Sequence, residues 1–248
     1  MIELFGLPIT WIIIYFIISL LAFTVAATLG IGGPLILLPA LLLHFSSAQA
    51  VAIVVPVMFA NNISRVLLFR EFIQLAPALR AGATALPFAL LASFFTGIVS
   101  PELIKFFIFM AIVYPLGSHY LFKFRPKVSN RGLSLWGIII GMISGLTGTA
   151  GPPTAIAFRG YGLFLKKFVA TIALLQAALQ LVRFPVYYST GLMTKEILPF
   201  TLFLALASVL AAFVGSRLLN NLNPKLFRVY LDVLLGIVAL WLLYSILK

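Results

Sequence analysis

At 248 residues, 63% hydrophobic and 9% charged, with a mean hydropathy of +1.19, the chain lacks the polar material to cover a soluble fold of its length. Seventeen Lys/Arg against five acids give a formal charge of +12, yet the basic residues punctuate apolar runs, which assigns them to membrane topology and not to nucleic acid. With no cysteine, disulfides, thiolate metal sites and Cys nucleophiles are excluded.

Hydrophobic segments fall at about 9–29, 34–44, 50–69, 77–98, 103–122, 132–147, 153–164, 168–188, 197–216 and 226–247. Most are long enough to cross a hydrocarbon core of roughly 30 Å. They are continuously apolar and do not alternate with period two, which points to helices and away from a β-barrel. The expected fold is an all-α polytopic membrane protein.

The first segment, 9–29, reads as retained and not as a cleaved signal, because no Lys or Arg precedes Arg65. It ends at the break Gly30-Ile31-Gly32-Gly33-Pro34. The next segment, 34–44, is too short to span comfortably, since 11 helical residues rise only about 16 Å. Glycine permits a non-helical stop and proline favours the first turn of a new helix, so the pair is expected as a broken hairpin turning at mid-membrane, with two full crossings as the alternative. Segment 50–69 carries Asn61, Asn62, Ser64 and Arg65 in apolar surroundings. After 103–122 comes the polar joint Lys123-Phe124-Arg125-Pro126-Lys127-Val128-Ser129-Asn130-Arg131.

The second half repeats this order. Gly148-Thr149-Ala150-Gly151-Pro152-Pro153 breaks the chain again before the short segment 153–164, and Gln176, Gln180 and Arg183 share one face of 168–188. A shift of 118 pairs Gly30 with Gly148, Gly33 with Gly151, Pro34 with Pro152, Asn62 with Gln180 and Arg65 with Arg183. A shift of 123 pairs Ser100-Pro101-Glu102 with Asn223-Pro224-Lys225, an N-cap followed by proline in both copies. The chain therefore divides into a first repeat (1–122), a basic cytoplasmic linker (123–131) and a second repeat (132–248).

If every segment returns the chain to the opposite face, the Lys and Arg residues of the loops divide 12 against 3; if the short segments do not change the parity, they divide 8 against 7. The positive-inside rule selects the first arrangement. Both termini are then non-cytoplasmic, and an odd number of crossings turns the second half over. The expectation is two inverted-topology repeats, each a Gly/Pro-broken hairpin plus three spanning helices.

Inverted repeats with broken helices place transporter sites at the half-helix ends. The candidate anion site is accordingly Ile31, Gly32, Gly33 and Pro34 from one break and Thr149, Ala150, Gly151 and Pro152 from the other. Uncapped N–H groups and the positive helix end suit an anion there, although small residues at a break also serve tight helix crossing. Arg65 and Arg183 are costly inside apolar segments and suit a bidentate oxyanion; snorkelling to the interface is the alternative. Asn61, Asn62, Gln176 and Gln180 join them as cavity-lining amides, with interhelical hydrogen bonding as the ordinary alternative. Thr28, Thr147 and Thr149 offer hydroxyls that equally suit back-bonding to a helix carbonyl. Asp232 is expected to pair with Arg228 one turn earlier, and His44 and His119 to sit at the interface. No paired carboxylates, metal-ligand cluster or phosphate loop occurs, so neither an enzyme nor a metal or other cofactor is expected.

The Gly30–Pro34 stretch with Leu35-Ile36-Leu37-Leu38-Pro39, and its echo Gly145-Leu146-Thr147-Gly148-Thr149-Ala150-Gly151-Pro152-Pro153, resemble the TauE/SafE family of membrane permeases over most of the chain. The chain departs from the family pattern at Pro34, Pro152 and Ala150, where a further glycine is frequent. The resemblance implies bacterial transport of small sulfur-containing anions such as sulfite, sulfoacetate or other organosulfonates, in the inner membrane. The expected function is a secondary transporter working by alternating access, with an anion channel as the alternative. Expected partners are the anionic substrate and lipid, with no nucleic acid; the oligomeric state, a homodimer included, stays open.

Overall fold

The computed structural model describes residues 3–4, 7–95, 109, 113, 127–191, 195 and 197–247. Ahead of the helices a two-residue antiparallel pairing joins β1 (Glu3–Leu4) to β2 (Leu7–Pro8). The described helices are α1 (Ile9–Leu29), α2 (Gly33–Leu41), α3 (Ser47–Leu68), α4 (Leu75–Ser93), α5 (Asn130–Thr147), α6 (Gly151–Tyr161), α7 (Leu165–Ser189), α8 (Leu198–Asn220) and α9 (Pro224–Leu247). A 3₁₀ turn, Arg70–Phe72, joins α3 to α4. Apart from residues 109 and 113, the expected segment at 103–122 lies outside the described residues, as do its Ser100-Pro101 cap, His119 and residues 123–126 of the linker.

Five of these helices are long and apolar enough to cross a bilayer: Ile9–Leu29, Gln49–Leu68, Leu75–Ser93, Leu165–Ser189 and Leu198–Asn220. Large apolar side chains such as Leu21, Leu67, Leu181, Leu202 and Leu240 stand exposed on the outer faces, as lipid contact requires. The starts are set locally. Ser46 and Gln49 form a reciprocal capping box at α3, and the Ser129 hydroxyl accepts from the Gly132 N–H at 3.1 Å to open α5.

The short segments fold as the second arms of helical hairpins. α2 runs back along α1, so that the Tyr15 hydroxyl donates to the Ala40 carbonyl (3.1 Å) and lies 2.7 Å from His44 Nδ1. The His44 ring also packs on Trp11, with centroids 4.4 Å apart.

Helices from the two ends of the chain interleave. α1 packs on α8, α5 packs on α4, and α3 and α7 cross at the centre while each also packs on one of those pairs. Small residues set how closely they approach. A Cβ added at Gly137, Gly141 or Gly145 of α5 would come within 2.3, 2.4 or 2.6 Å of the carbonyl oxygens of Ala81, Ala85 or Ala89 on α4. Both series rise together in the sequence, so α4 and α5 run the same way. On the other pair the Ser19 hydroxyl donates to Leu204 O (3.2 Å) and the Thr28 hydroxyl reaches Gly215 O (3.4 Å), so α1 and α8 also run the same way.

Asp232 departs from the expected pairing. Its two carboxylate oxygens are forked by the Arg159 guanidinium of α6, while the Arg228 guanidinium lies over the Phe164 ring, 4.5 Å from its centroid. A planar fork brought in from another helix matches a carboxylate better than a neighbour one turn away on the same helix. The pair ties the end of α6 to α9. Asp232→Asn is expected to destabilise the protein by about 2 kcal/mol, because it strands a half-buried guanidinium. In a thermal-melt double-mutant cycle with Arg159→Gln, additive losses would show that the two side chains do not act as a pair.

Candidate functional site

The two breaks are built alike. α1 ends at Leu29, and Gly30 takes the left-handed conformation (φ 89°) with its N–H donating to Ala26 O at 2.8 Å. α5 ends at Thr147, and Gly148 (φ 78°) donates to Ser144 O at 3.0 Å. Restart follows within a few residues: α2 begins at Gly33 and α6 at Gly151, each with proline in its first turn and no side-chain cap. The N–H groups of that turn are left for another acceptor. In α6, Pro152 and Pro153 remove two of those donors, so the α2 end is the richer of the two.

The buried arginines meet the ends of the preceding helices. Arg65 Nη1 donates to Ala26 O, and Arg183 Nη1 donates to Ser144 O at 2.8 Å, each reaching a carbonyl 39 residues earlier. Those carbonyls are the ones that accept from Gly30 and Gly148. Each guanidinium therefore sits at the negative end of a broken helix, where a cation is favoured. This clamp was not expected from sequence, although the equal spacing of Ala26–Arg65 and Ser144–Arg183 is its signature. At 1% and 0% exposure neither arginine snorkels.

The amides extend this framework. Arg65 Nη2 donates to Asn62 Oδ1 (2.8 Å), and Asn62 Nδ2 donates to Gln180 Oε1 (3.1 Å), so the residues paired by the 118 shift touch where α3 and α7 cross. Asn61 Nδ2 donates to Ser208 O on α8 (2.7 Å), and Gln176 Nε2 donates to Thr154 Oγ1 (3.0 Å). The interhelical hydrogen bonds are thus real, but they leave atoms over. Arg65 Nε and Gln176 Oε1 are buried without a protein partner. Thr28 and Thr147 donate back to Thr24 O and Ile143 O, both at 2.8 Å, which is the ordinary role for such hydroxyls.

These groups surround a cavity enclosing about 370 Å³ of space between atoms, its mouth included. Nine of the expected residues line it: Ile31, Gly32, Pro34, Asn61, Asn62, Arg65, Thr149, Gly151 and Gln176. Gly33, Ala150, Pro152, Gln180 and Arg183 are not among its lining residues. The structure adds Gly30, Ala26 and the apolar walls Phe23, Leu35 and Met58. Met58 was legible in principle, since the 118 shift makes it the counterpart of Gln176. Among the described residues no carboxylate lines it. An apolar space holding a guanidinium and the N-terminal end of α2 is chemically suited to a small anion.

The family model described as sulfite exporter TauE/SafE matches residues 15–242. No curated protein and no solved structure matches the chain.

Proposed function

The chain belongs to the sulfite exporter TauE/SafE family of membrane transporters, and on that premise we propose that it moves a small sulfur-containing oxyanion, sulfite or an organosulfonate, by alternating access. The observation that carries this reading is the cavity in which both helix breaks, Arg65 and the amides of α3 and α7 converge. The Arg65 guanidinium, with its free Nε–H, would hold the oxyanion against the N-terminal end of α2. Gln176 Oε1, an acceptor without a partner, suits a ligand that also carries an O–H or N–H, as hydrogensulfite or a substituted sulfonate does.

Alternating access needs two halves that rock against each other, and we propose that residues 1–122 and 132–248 are inverted repeats joined by the linker 123–131. Several contacts support this. Arg65 near the end of α3 meets Ala26 near the end of α1, so α1 and α3 run the same way, and α4 returns after the Arg70–Phe72 turn. α5 runs with α4, which starts the second half opposite to the first. The 12-against-3 loop count supports termini outside the cytoplasm, in a bacterial inner membrane.

Purified protein in proteoliposomes is expected to take up sulfite or sulfoacetate saturably and to show counterflow when the vesicles are preloaded. Flux without counterflow, accompanied by conductance, would favour the channel. The absence of flux for sulfite and for a panel of sulfonates would remove the substrate assignment.

A further inference from the structure

The second half carries buried polar groups that the cavity does not use. Ser144 Oγ and Gln180 Nε2 are buried without a hydrogen-bond partner, and Arg183 Nη2 and the Tyr187 hydroxyl have at most each other, although all four residues are fully buried. They belong together. Gln180, Arg183 and Tyr187 are spaced three and four residues apart on one face of α7, the Tyr187 hydroxyl adjoins the Arg183 guanidinium, and Ser144 is the residue whose carbonyl Arg183 Nη1 grips.

The neighbouring hydrogen bonds fix which atoms are spare. Arg65 has only donors, so Asn62 must turn Oδ1 to it and Nδ2 to Gln180. Gln180 then accepts through Oε1 and keeps its N–H₂ unspent. A guanidinium, an amide N–H₂ and two hydroxyls form a set in which every member can donate. Among the described residues no carboxylate is a hydrogen-bond partner of Arg183. A buried cation and several unspent donors cost stability unless something accepts from them.

The comparison of the two halves argues that the cost is not incidental. Under the 118 shift, Ser144 corresponds to Ala26 and Tyr187 to Phe69. The first half makes the same arginine clamp with neither hydroxyl, so clamping does not require them. The second half adds two hydroxyls where its guanidinium lies. In this structure the cluster is shut: Gly148 sits beside Val51 and Val55, and a Cβ added there would be 3.8 Å from Arg183 Nη1.

We propose that Ser144, Gln180, Arg183 and Tyr187 form a second station for the transported oxyanion, occupied when the cavity beside Gly30–Pro34 is closed. The station rests on the transport reading given above, and it adds that the anion changes partners during the cycle. It leaves Arg65 and the α2 end, and is received by Arg183 with the Ser144 and Tyr187 hydroxyls and the Gln180 amide as further donors. The Asn62–Gln180 bond links the two stations, so that movement of α3 against α7 would be felt by both.

The test replaces both hydroxyls by what the first half carries, in the double variant Ser144→Ala/Tyr187→Phe. In vesicles of one known orientation, with sulfite supplied to either face, the half-saturating concentration is expected to rise about tenfold on one face and by less than about twofold on the other. No change on either face, or an equal change on both, would overturn the station; a raised melting temperature with unchanged transport would mark the hydroxyls as holding water only. Should the wild-type protein move no sulfite, thermal melts with sulfite and sulfate separate the two proposals. Stabilisation of the wild type that is lost in the double variant keeps an anion station without the transport assignment, and identical melts of the two proteins with each anion overturn the station as well.

Discussion

Arg65→Met is expected to lower sulfite kcat/KM by at least about 100-fold, because it removes a charged donor pair whose bonds to an oxyanion are worth roughly 1.5–3 kcal/mol each. Methionine keeps much of the apolar length, so the packing around Phe23 and Met58 is retained. Stability should fall much less than transport. The variant loses the bonds to Ala26 O and Asn62 Oδ1, but it also removes a buried charge whose desolvation is expensive. A change of less than about 2 kcal/mol in a chemical or thermal melt is therefore anticipated beside the kinetic loss. Arg65→Lys should fall between, at about tenfold, because one ammonium cannot meet Ala26 O, Asn62 Oδ1 and the anion in a planar fork. If Arg65→Met transports within about threefold of wild type, Arg65 is a helix clamp and nothing more.

The second large effect is on assembly. Gly141→Ala places a methyl 2.4 Å from Ala85 O and 2.9 Å from Phe88 Cβ, so α4 and α5 must separate. The atoms met on α4 are the Ala85 backbone and the Phe88 Cβ, which cannot rotate aside as the end of a flexible side chain would. A loss of about 3 kcal/mol is expected for such overpacking. Gly236→Ala is the matched control: among the described residues nothing lies within 4 Å of its new methyl, and alanine is the better helix former by about 1 kcal/mol. Thermal melts in detergent, followed by loss of monodisperse protein, should move down for Gly141→Ala and hold or move up for Gly236→Ala. Equal behaviour of the two would mean that close α4–α5 approach is not a determinant of the fold.

The same close approach is what makes the site possible. Helices in lipid gain little from burying apolar side chains against one another, so small residues and interhelical hydrogen bonds decide which pairs form. The Gly137–Gly141–Gly145 ladder brings α5 onto α4, and Gly215 meets α1 at Thr24 O and Ala27 on the other pair. With these outer pairs in place, α3 and α7 cross at Asn62 and Gln180, and the breaks that follow α1 and α5 are carried to the centre.

Much of this was written in the chain. The membrane, the position of the described segments to within a few residues, the two breaks and the equivalence of Asn62 and Gln180 follow from apolar run length, from the conformations that glycine and proline permit, and from the 118-residue shift, whereas the contact between those two amides does not. These are local or self-similar features, and local physics is sufficient to read them. The partner of Asp232 was not legible, because four residues along a helix is the only distance a sequence displays, whereas Arg159 arrives from another helix 73 residues away. Nor was the division of labour between the arginines. In sequence Arg65 and Arg183 are equivalent; in space one lines the cavity and the other does not. Only the packing of α3 against α7 breaks that equivalence, because a cavity is what the remaining side chains fail to fill, and it depends on every helix at once.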